Sequence, residues 1–223
     1  FNFLDYPEQV YDNRTYASEV KYNGELVDSW TIFKTNNFID VEGSYGKITL
    51  LLRHKDKLIF LQDRALGLHS VNDRSLIQDG NQSALVLGTG GVLQRYDYIS
   101  TNVGCIHRFG VSLTDSAIYW YDVHNNRQYK LSEGLEPVND INGLTGFFTN
   151  NILKNIREGD NPYLNKGITS TYDYLFNEVN FTFKDYYTVD VIGETFYKDV
   201  TVCYNEIIKG YASFYDFKPS VYV

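Results

Sequence analysis

Glu178-Val-Asn-Phe-Thr-Phe-Lys184 decides the fold class, because its apolar and polar residues alternate without a break. Val179, Phe181 and Phe183 fall on one side of an extended chain and Glu178, Asn180, Thr182 and Lys184 on the other, the pattern of a half-exposed strand. Working outward, Lys47-Ile-Thr-Leu-Leu-Leu-Arg53 and Lys57-Leu-Ile-Phe-Leu-Gln62 are apolar on both faces, as strands covered on both sides are. His54-Lys-Asp56 joins them as a short polar hairpin turn. Asn23-Gly24 predicts another hairpin, between Ser18–Tyr22 and Ser29–Lys34, since the pair accepts the two positive φ angles of a type I′ turn.

A loose repeat supports the same class. Leu58-Ile-Phe-Leu-Gln-Asp63, Ala117-Ile-Tyr-Trp-Tyr-Asp122 and Ala212-Ser-Phe-Tyr-Asp216 each read as an apolar strand closing on Asp, whose carboxylate can bond its own backbone and start a turn. Further strands follow the first two, at Ala65–Val71 and Arg127–Ser132. The expected fold is all-β, mainly antiparallel sheets arranged as β-propeller-like blades. One segment breaks the pattern. Leu144, Phe148, Ile152 and Ile156 stand four apart, with Phe147 beside them, Asn142 placed to cap and Gly159 to close, which predicts one prominent amphipathic helix near 142–157. The organisation that follows is a β domain over 1–141, a helical connector over 142–160 and a further β segment over 161–223.

Composition narrows the function. The 223 residues are 43% hydrophobic and 22% charged, which excludes disorder, collagen and disulfide scaffolds, and no apolar run reaches the ~18 residues of a membrane span. A net charge of −8 argues against nucleic acid as a partner, because phosphate binding requires clustered Lys and Arg. The 20 Tyr and 14 Phe favour pleated sheet. The chain has no Met and opens on Phe1, so it reads as a piece of a longer protein. Cys105 and Cys203 match no zinc or redox spacing and read as buried free thiols, in keeping with a reducing compartment.

The residues that could carry chemistry do not assemble into a motif. Gly88-Thr-Gly-Gly91 lacks the Gly-Lys-Ser/Thr of a phosphate loop and the third glycine of a dinucleotide site, and reads as a plain turn. His54, His69, His107 and His124 sit on four different stretches, none at a metal-binding spacing. Asp73, Asp79, Asp140, Asp160 and Asp190 are scattered singly, so a glycosidase-like carboxylate pair has no visible location. Tyr96, Tyr98, Tyr186 and Tyr187 lie in loop-like surroundings where rings could stack on sugars, although filling of sheet cores and subunit interfaces accounts for them better. Asn-x-Ser/Thr triplets at Asn13, Asn81 and Asn180 carry little meaning without a secretory signal. No catalytic, cofactor-binding or metal-binding residue is assigned.

Two longer strings are more specific. Ser100-Thr-Asn-Val-Gly-Cys-Ile-His-Arg-Phe-Gly-Val-Ser112, followed by Ala117–Asp122 and Tyr129-Lys-Leu, resembles segments of the very long tail proteins of crAss-like podoviruses, called muzzle or stabilization proteins. So does Val202-Cys-Tyr-Asn-Glu-Ile-Ile-Lys-Gly-Tyr-Ala-Ser-Phe-Tyr-Asp-Phe-Lys-Pro219, and together the resemblance covers roughly residues 83 to 223. It implies a non-enzymatic component of a bacteriophage virion tail, assembled in the bacterial host cytoplasm and arranged as a ring of six or twelve copies against neighbouring tail proteins. It also implies assembly residues: Asn205, Glu206 and the stretch from Ser213, Phe214 and Tyr215 to Pro219 would hold the chain to neighbouring blades or subunits, with Pro219 ending edge pairing, and Gly104, His107 and Asp122 belong to the first string. The rival readings are a carbohydrate- or receptor-binding domain at the tail tip, which would contact host surface glycan, and a propeller glycosidase.

Overall fold

The computed structural model describes residues 9–21, 24–71, 75–78, 84–87, 92–152, 160–191 and 194–222, with backbone alone over 75–78, 84–87, 185–191 and 194–197. The chain forms β1 (Arg14–Tyr16), β2 (Phe38–Asp40), β3 (Ile48–His54), β4 (Lys57–Gln62), β5 (Leu66–Val71), β6 (Ser75–Gln78), β7 (Ala84–Leu87) and β8 (Leu93–Ser100). It continues with β9 (Val111–Leu113), β10 (Ile118–Asp122), β11 (Arg127–Leu131), β12 (Leu135–Pro137), α1 (Val138–Asn142), α2 (Thr145–Asn151), β13 (Gly167–Asp173), β14 (Glu178–Val191), β15 (Glu194–Asn205) and β16 (Gly210–Tyr215). The architecture is all-β, with antiparallel pairing in every described sheet and two short helices.

Three four-stranded sheets follow one another along the chain: β3-β4-β5-β8, then β9-β10-β11-β12, then β13-β14-β15-β16. The β6–β7 hairpin is an insertion between the third and fourth strands of the first sheet, and β1–β2 is a separate ribbon. The middle sheet is covered on both faces, and the alternation of β10 explains how. Ile118 and Trp120 point into an aliphatic core with Leu52, Ile59, Leu61, Leu66 and Leu131. Tyr119 and Tyr121 point the other way, into an aromatic core with Phe148, Phe181, Phe183 and Tyr204. A strand with all five residues buried therefore serves two cores at once. Phe60 faces away from both, against His69, Tyr96 and Tyr98, where the β1–β2 ribbon closes the outer face through Thr15 Oγ1 and His69 Nε2, 3.1 Å apart.

Several expectations need correction. The strand Glu178–Lys184 has the expected faces but is not half-exposed, since Asn180, Thr182 and Lys184 are buried as well. The C-terminal tail lies across that polar face. Thr201 Oγ1 donates to the Phe217 carbonyl at 2.6 Å, Lys184 Nζ to the Lys218 carbonyl at 2.6 Å, and the Thr182 and Tyr222 hydroxyls meet at 2.7 Å. β4 is covered on both sides as expected, whereas β3 is an edge strand with Leu51 exposed.

The single helix near 142–157 is instead two short helices in the described residues. Gly143 at φ 92° and Leu144 at φ 68° leave helical space between them, and Ile152 is already extended at φ −97°, ψ 124°. The apolar periodicity does mark the buried face, since Phe148 and Ile152 enter the aromatic core and Leu144 packs against it. Ile156 and Gly159 lie outside the described residues. The hairpin expected at Asn23-Gly24 is not made of strands: Ser29–Thr31 is a 3-10 turn, and Asn23 lies outside the described residues, as do Gly88–Gly91, Asp73, Asp79 and Asn81. Tyr96 and Tyr98 are on β8, and Tyr186 and Tyr187 on β14, rather than in loops.

Candidate functional site

The candidate site is the set of polar junctions that tie one sheet to the next. They grow from one turn design used three times. Asp122 Oδ1 accepts from the amides of His124 (2.8 Å) and Asn125 (3.2 Å), Asp173 Oδ1 from Leu175 (2.8 Å) and Phe176 (3.3 Å), and Asn205 Oδ1 from Ile207 (2.9 Å) and Ile208 (3.1 Å). Each is the last residue of its strand and pairs with the first residue of the next, Arg127, Glu178 and Gly210. The residue closing each turn is left-handed: Asn126 at φ 55°, Asn177 at φ 55° and Lys209 at φ 51°. A tyrosine precedes each capping residue, and in two turns its hydroxyl reaches the left-handed asparagine, Tyr121 to Asn126 at 2.5 Å and Tyr172 to Asn177 at 3.1 Å.

The repeat Tyr-Asx-x-x-x-Asn/Lys is thus written at Tyr121, Tyr172 and Tyr204. Reading strand-ending Asp residues finds only the first member. Asp63 accepts from Thr49 Oγ1 at 3.4 Å, and Asp216 follows β16 into the tail rather than into a hairpin. The spacing from capping residue to left-handed residue was the signal that would have found the others.

Asp122 does more than start its turn. Its Oδ2 also accepts from the Gly104 amide at 3.2 Å and from Asn125 Nδ2 at 2.7 Å, so it anchors the connector arriving from the first sheet. Burial pushes its carboxyl above the usual carboxylate range, and the four donors pull the other way. Gly104 is held from both sides, since its carbonyl accepts from Trp120 Nε1 at 3.1 Å and a Cβ there would stand 2.5 Å from the backbone of Asp63 and Arg64. The next residue continues the tie: Cys105 N donates to the Gln62 carbonyl at 2.9 Å. His107 is fully buried and bonds Asp160 through Nδ1, while the second Asp160 oxygen accepts from the Phe109 amide at 3.0 Å. That pairing pins the segment entering the third sheet to the one entering the middle sheet.

Glu206 closes the far seam. Its Oε1 accepts from Thr114 Oγ1 (3.0 Å), Ser116 Oγ (2.9 Å) and Tyr119 Oη (2.9 Å), all on the middle sheet's first hairpin or β10. Its amide donates to the Asn177 carbonyl at 2.9 Å, and Asn205 Nδ2 donates to the Phe176 carbonyl at 3.0 Å, so the two turns of the third sheet lie side by side. Tyr215 donates to Glu178 Oε2 at 2.8 Å and stacks on Phe217, and Phe214 is half exposed against Phe147. β16 ends at Tyr215, so Pro219 lies beyond it, in the tail that crosses the polar face.

Little free chemistry is left at these junctions. A cleft of about 520 Å3 opens where β3 begins and where the chain enters the middle and third sheets, with Lys47, Arg108, Asp160 and Asn161 on its wall, and the Asp160 oxygens there are the ones held by His107 and Phe109. Among the described residues no group of three or more His, Cys, Asp or Glu could hold a metal ion, and no helix is long and apolar enough to cross a membrane. Tyr98 spends its hydroxyl on Gln62 Oε1 at 2.8 Å, and burial raises its pKa to about 12. Cys105 and Cys203 are both free and buried, and burial raises both thiols, Cys203 to about 12.

Comparison with known proteins gives one family and one curated relative of note. The family described as Crassvirus muzzle protein matches residues 4–223. The muzzle protein of Bacteroides phage crAss001 is 23% identical over 221 residues, which is 98% of this chain and 15% of that protein's length. The chain therefore spans about 15% of the relative it matches.

Proposed function

The chain belongs to the crassvirus muzzle protein family, and from that premise we propose that it is a rigid, non-catalytic segment of a phage tail muzzle, whose work is to hold a shape in the virion. The observation that carries this reading is where the buried and half-buried polar side chains are spent. Asp122, His107 with Asp160, and Glu206 each join one sheet to another or to its connector, a use that stabilises a body and keeps these groups from proton or acyl transfer.

Three successive four-stranded meanders stacked face to face support a propeller-like arrangement, in which each sheet is one blade. On this reading residues 1–141 carry two blades, 142–160 connect, and 161–223 form the third. The partners are further copies in a six- or twelve-fold ring around the tail axis and neighbouring tail proteins. Glu206 acts between blades and Asn205 ties the two turns within the third blade, while the tail that contains Pro219 shields the polar face of the third blade.

The test is quantitative mass spectrometry of isolated tail complexes. Peptides from this chain should be present at six or twelve copies per tail. Peptides found in the lysate but missing from tails would overturn the reading.

A further inference from the structure

Most arginines of the chain are already matched to an acid. Arg14 pairs with Asp40, Arg53 with Asp56, Arg95 with Asp97 and Arg127 with Asp140. Arg64 and Arg108 have no carboxylate partner among the described residues. With 28 Asp and Glu against 20 Lys and Arg, a guanidinium left over is the rarer case, and both of these line clefts. Arg108 stands on the wall of the 520 Å3 cleft at the start of β3, together with Lys47, which also lacks a carboxylate partner. Arg64 lines a second cleft of about 340 Å3, with the 3-10 turn Gly43–Tyr45, Asp63 and His124. Ile106 belongs to both walls, so the two clefts adjoin.

The acids nearby are engaged elsewhere. Asp160 holds the buried His107 with one oxygen and the Phe109 amide with the other. Asp63 accepts from Thr49 Oγ1 and is confined by Gly46, where a Cβ would stand 2.5 Å from its Oδ2. Glu42, beside the second cleft, accepts from the Ser44 amide at 3.1 Å. Asn161 Oδ1 accepts from the Leu164 amide at 3.2 Å, so its carboxamide offers the cleft a donor rather than an acceptor. The cations themselves are rooted in fixed backbone. Arg108 Cζ lies 4.6 Å from the centre of the Phe109 ring, on a turn that Asp160 pins at 3.0 Å, and the Arg64 amide donates to the Tyr45 carbonyl at 3.1 Å. A guanidinium stacked on a ring gives up less freedom on binding, and its planar fork matches a carboxylate in two parallel hydrogen bonds.

We propose that these adjoining clefts receive an acidic peptide segment of a partner protein, whose carboxylates pair with Arg64, Arg108 and Lys47. Each cleft has the volume of a small-ligand site, and three cations spread over two clefts are more than one inorganic anion can reach. A nucleic-acid strand fits less well, because a chain with a net charge of −8 repels a continuous run of phosphates beyond the clefts. The peptide needs only two or three acidic side chains at the clefts themselves. The inference adds a recognition surface to the structural role and does not depend on the number of copies around the tail.

A fluorescently labelled hexaglutamate peptide, titrated with the 223-residue chain and read by anisotropy, provides the test. Saturable binding is expected at low salt, weakening as salt screens the charges. Arg64→Gln combined with Arg108→Gln should weaken it by about tenfold or more. Both side chains are exposed, so the melting temperature should stay within a few degrees. Arg53→Gln, at an exposed arginine already paired with Asp56 at the other end of β3, should leave binding unchanged. Absence of binding, or binding that survives the double substitution, overturns the proposal. Displacement of the peptide by an equal concentration of inorganic phosphate overturns it as a simple ion site, and tighter binding of a hexathymidylate strand overturns it as a nucleic-acid surface. In isolated tails, a carbodiimide, which couples an amine to a carboxylate in contact with it, should join Lys47 to an Asp or Glu of another chain. The linked peptide then distinguishes a further copy from a different tail protein. Tails that contain the chain with Lys47 unlinked overturn the docking and leave the tail reading standing, whereas tails without the chain sink that earlier reading instead.

Discussion

The two seams that flank the middle sheet are made by the same strand and yet use different chemistry. Towards the first sheet, β10 offers Ile118 and Trp120 to an aliphatic core, and the polar closure is backbone and carboxylate: Gly104, Cys105 and Asp122. Towards the third sheet it offers Tyr119 and Tyr121 to an aromatic core whose hydroxyls reach the rim and find fixed partners, Tyr119 on Glu206, Tyr121 on Asn126 and Tyr211 on Gln128 at 2.9 Å. An aliphatic seam is tolerant, since volume-conserving swaps repack it at small cost. A seam of phenols is directional, because each hydroxyl left without its acceptor costs a desolvated polar group. The first seam therefore holds by area and the second by register.

The largest effect should come from the first seam. Trp120 is fully buried, stacks on Tyr129 and spends its indole N–H on Gly104. Trp120→Ala is expected to cost about 3–5 kcal/mol in urea unfolding, enough to melt both seams together. Loss of the first seam alone, with the aromatic near-ultraviolet signal of the second intact, would show that the sheets are separable units. Asp122→Ala comes next, at about 2–3 kcal/mol, because the Gly104, His124 and Asn125 amides lose their acceptor at once. Trp120 fluorescence should shift to the red in that variant if the connector releases.

How far these seams could be read in the sequence differs in the same way. The alternation of Glu178–Lys184 gave its faces correctly, because side-chain period is a local property of an extended chain. Burial of its polar face was not legible, because it depends on a tail more than 30 residues away crossing the sheet, and no local pattern encodes that. The helix near 142–157 failed for a different reason: apolar spacing identified the buried face, while two positive φ angles at Gly143 and Leu144, the second on a residue that seldom adopts one, divided the segment. Asp122 was visible as a turn starter, and its second role, holding Gly104, was not. Glu206 appeared only through family resemblance, since nothing in the order of residues says that three hydroxyls from 87 to 92 positions earlier converge on it.

Acid offers a way to separate both seams from the ribbon that covers the first sheet. His69 is buried between Thr15 and Phe60, and desolvation lowers its pKa from near 6.5 to about 4. A depressed pKa means that the folded state resists protonation, so its stability contribution is complete above pH 6.5 and lost as the pH falls towards 4. The full shift would correspond to roughly 3 kcal/mol, and partial hydration reduces that to about 2 kcal/mol. Hydrogen exchange should show β1 and β2 opening between pH 6.5 and 4 before β10 does, and His69→Gln should flatten that dependence. Equal opening of ribbon and seams would place the acid-sensitive group elsewhere.

The smallest expected effect tests the directional seam most sharply. Glu206→Gln keeps the shape of the side chain and one carbonyl oxygen, but that oxygen is neutral, so the three hydroxyl donors lose the charge of their acceptor. The loss should be about 1 kcal/mol, since charge assistance roughly doubles a hydrogen bond and the three hydroxyls share one acceptor. If the seam works by register, the cost should be strongly coupled to Tyr119. Tyr119→Phe removes one of the three donors, so in a double-mutant cycle the pair should lose less together than the sum of the separate losses. Strict additivity would mean that the carboxylate and the phenol contribute independently, and the second seam would then hold by aromatic area, as the first holds by aliphatic area.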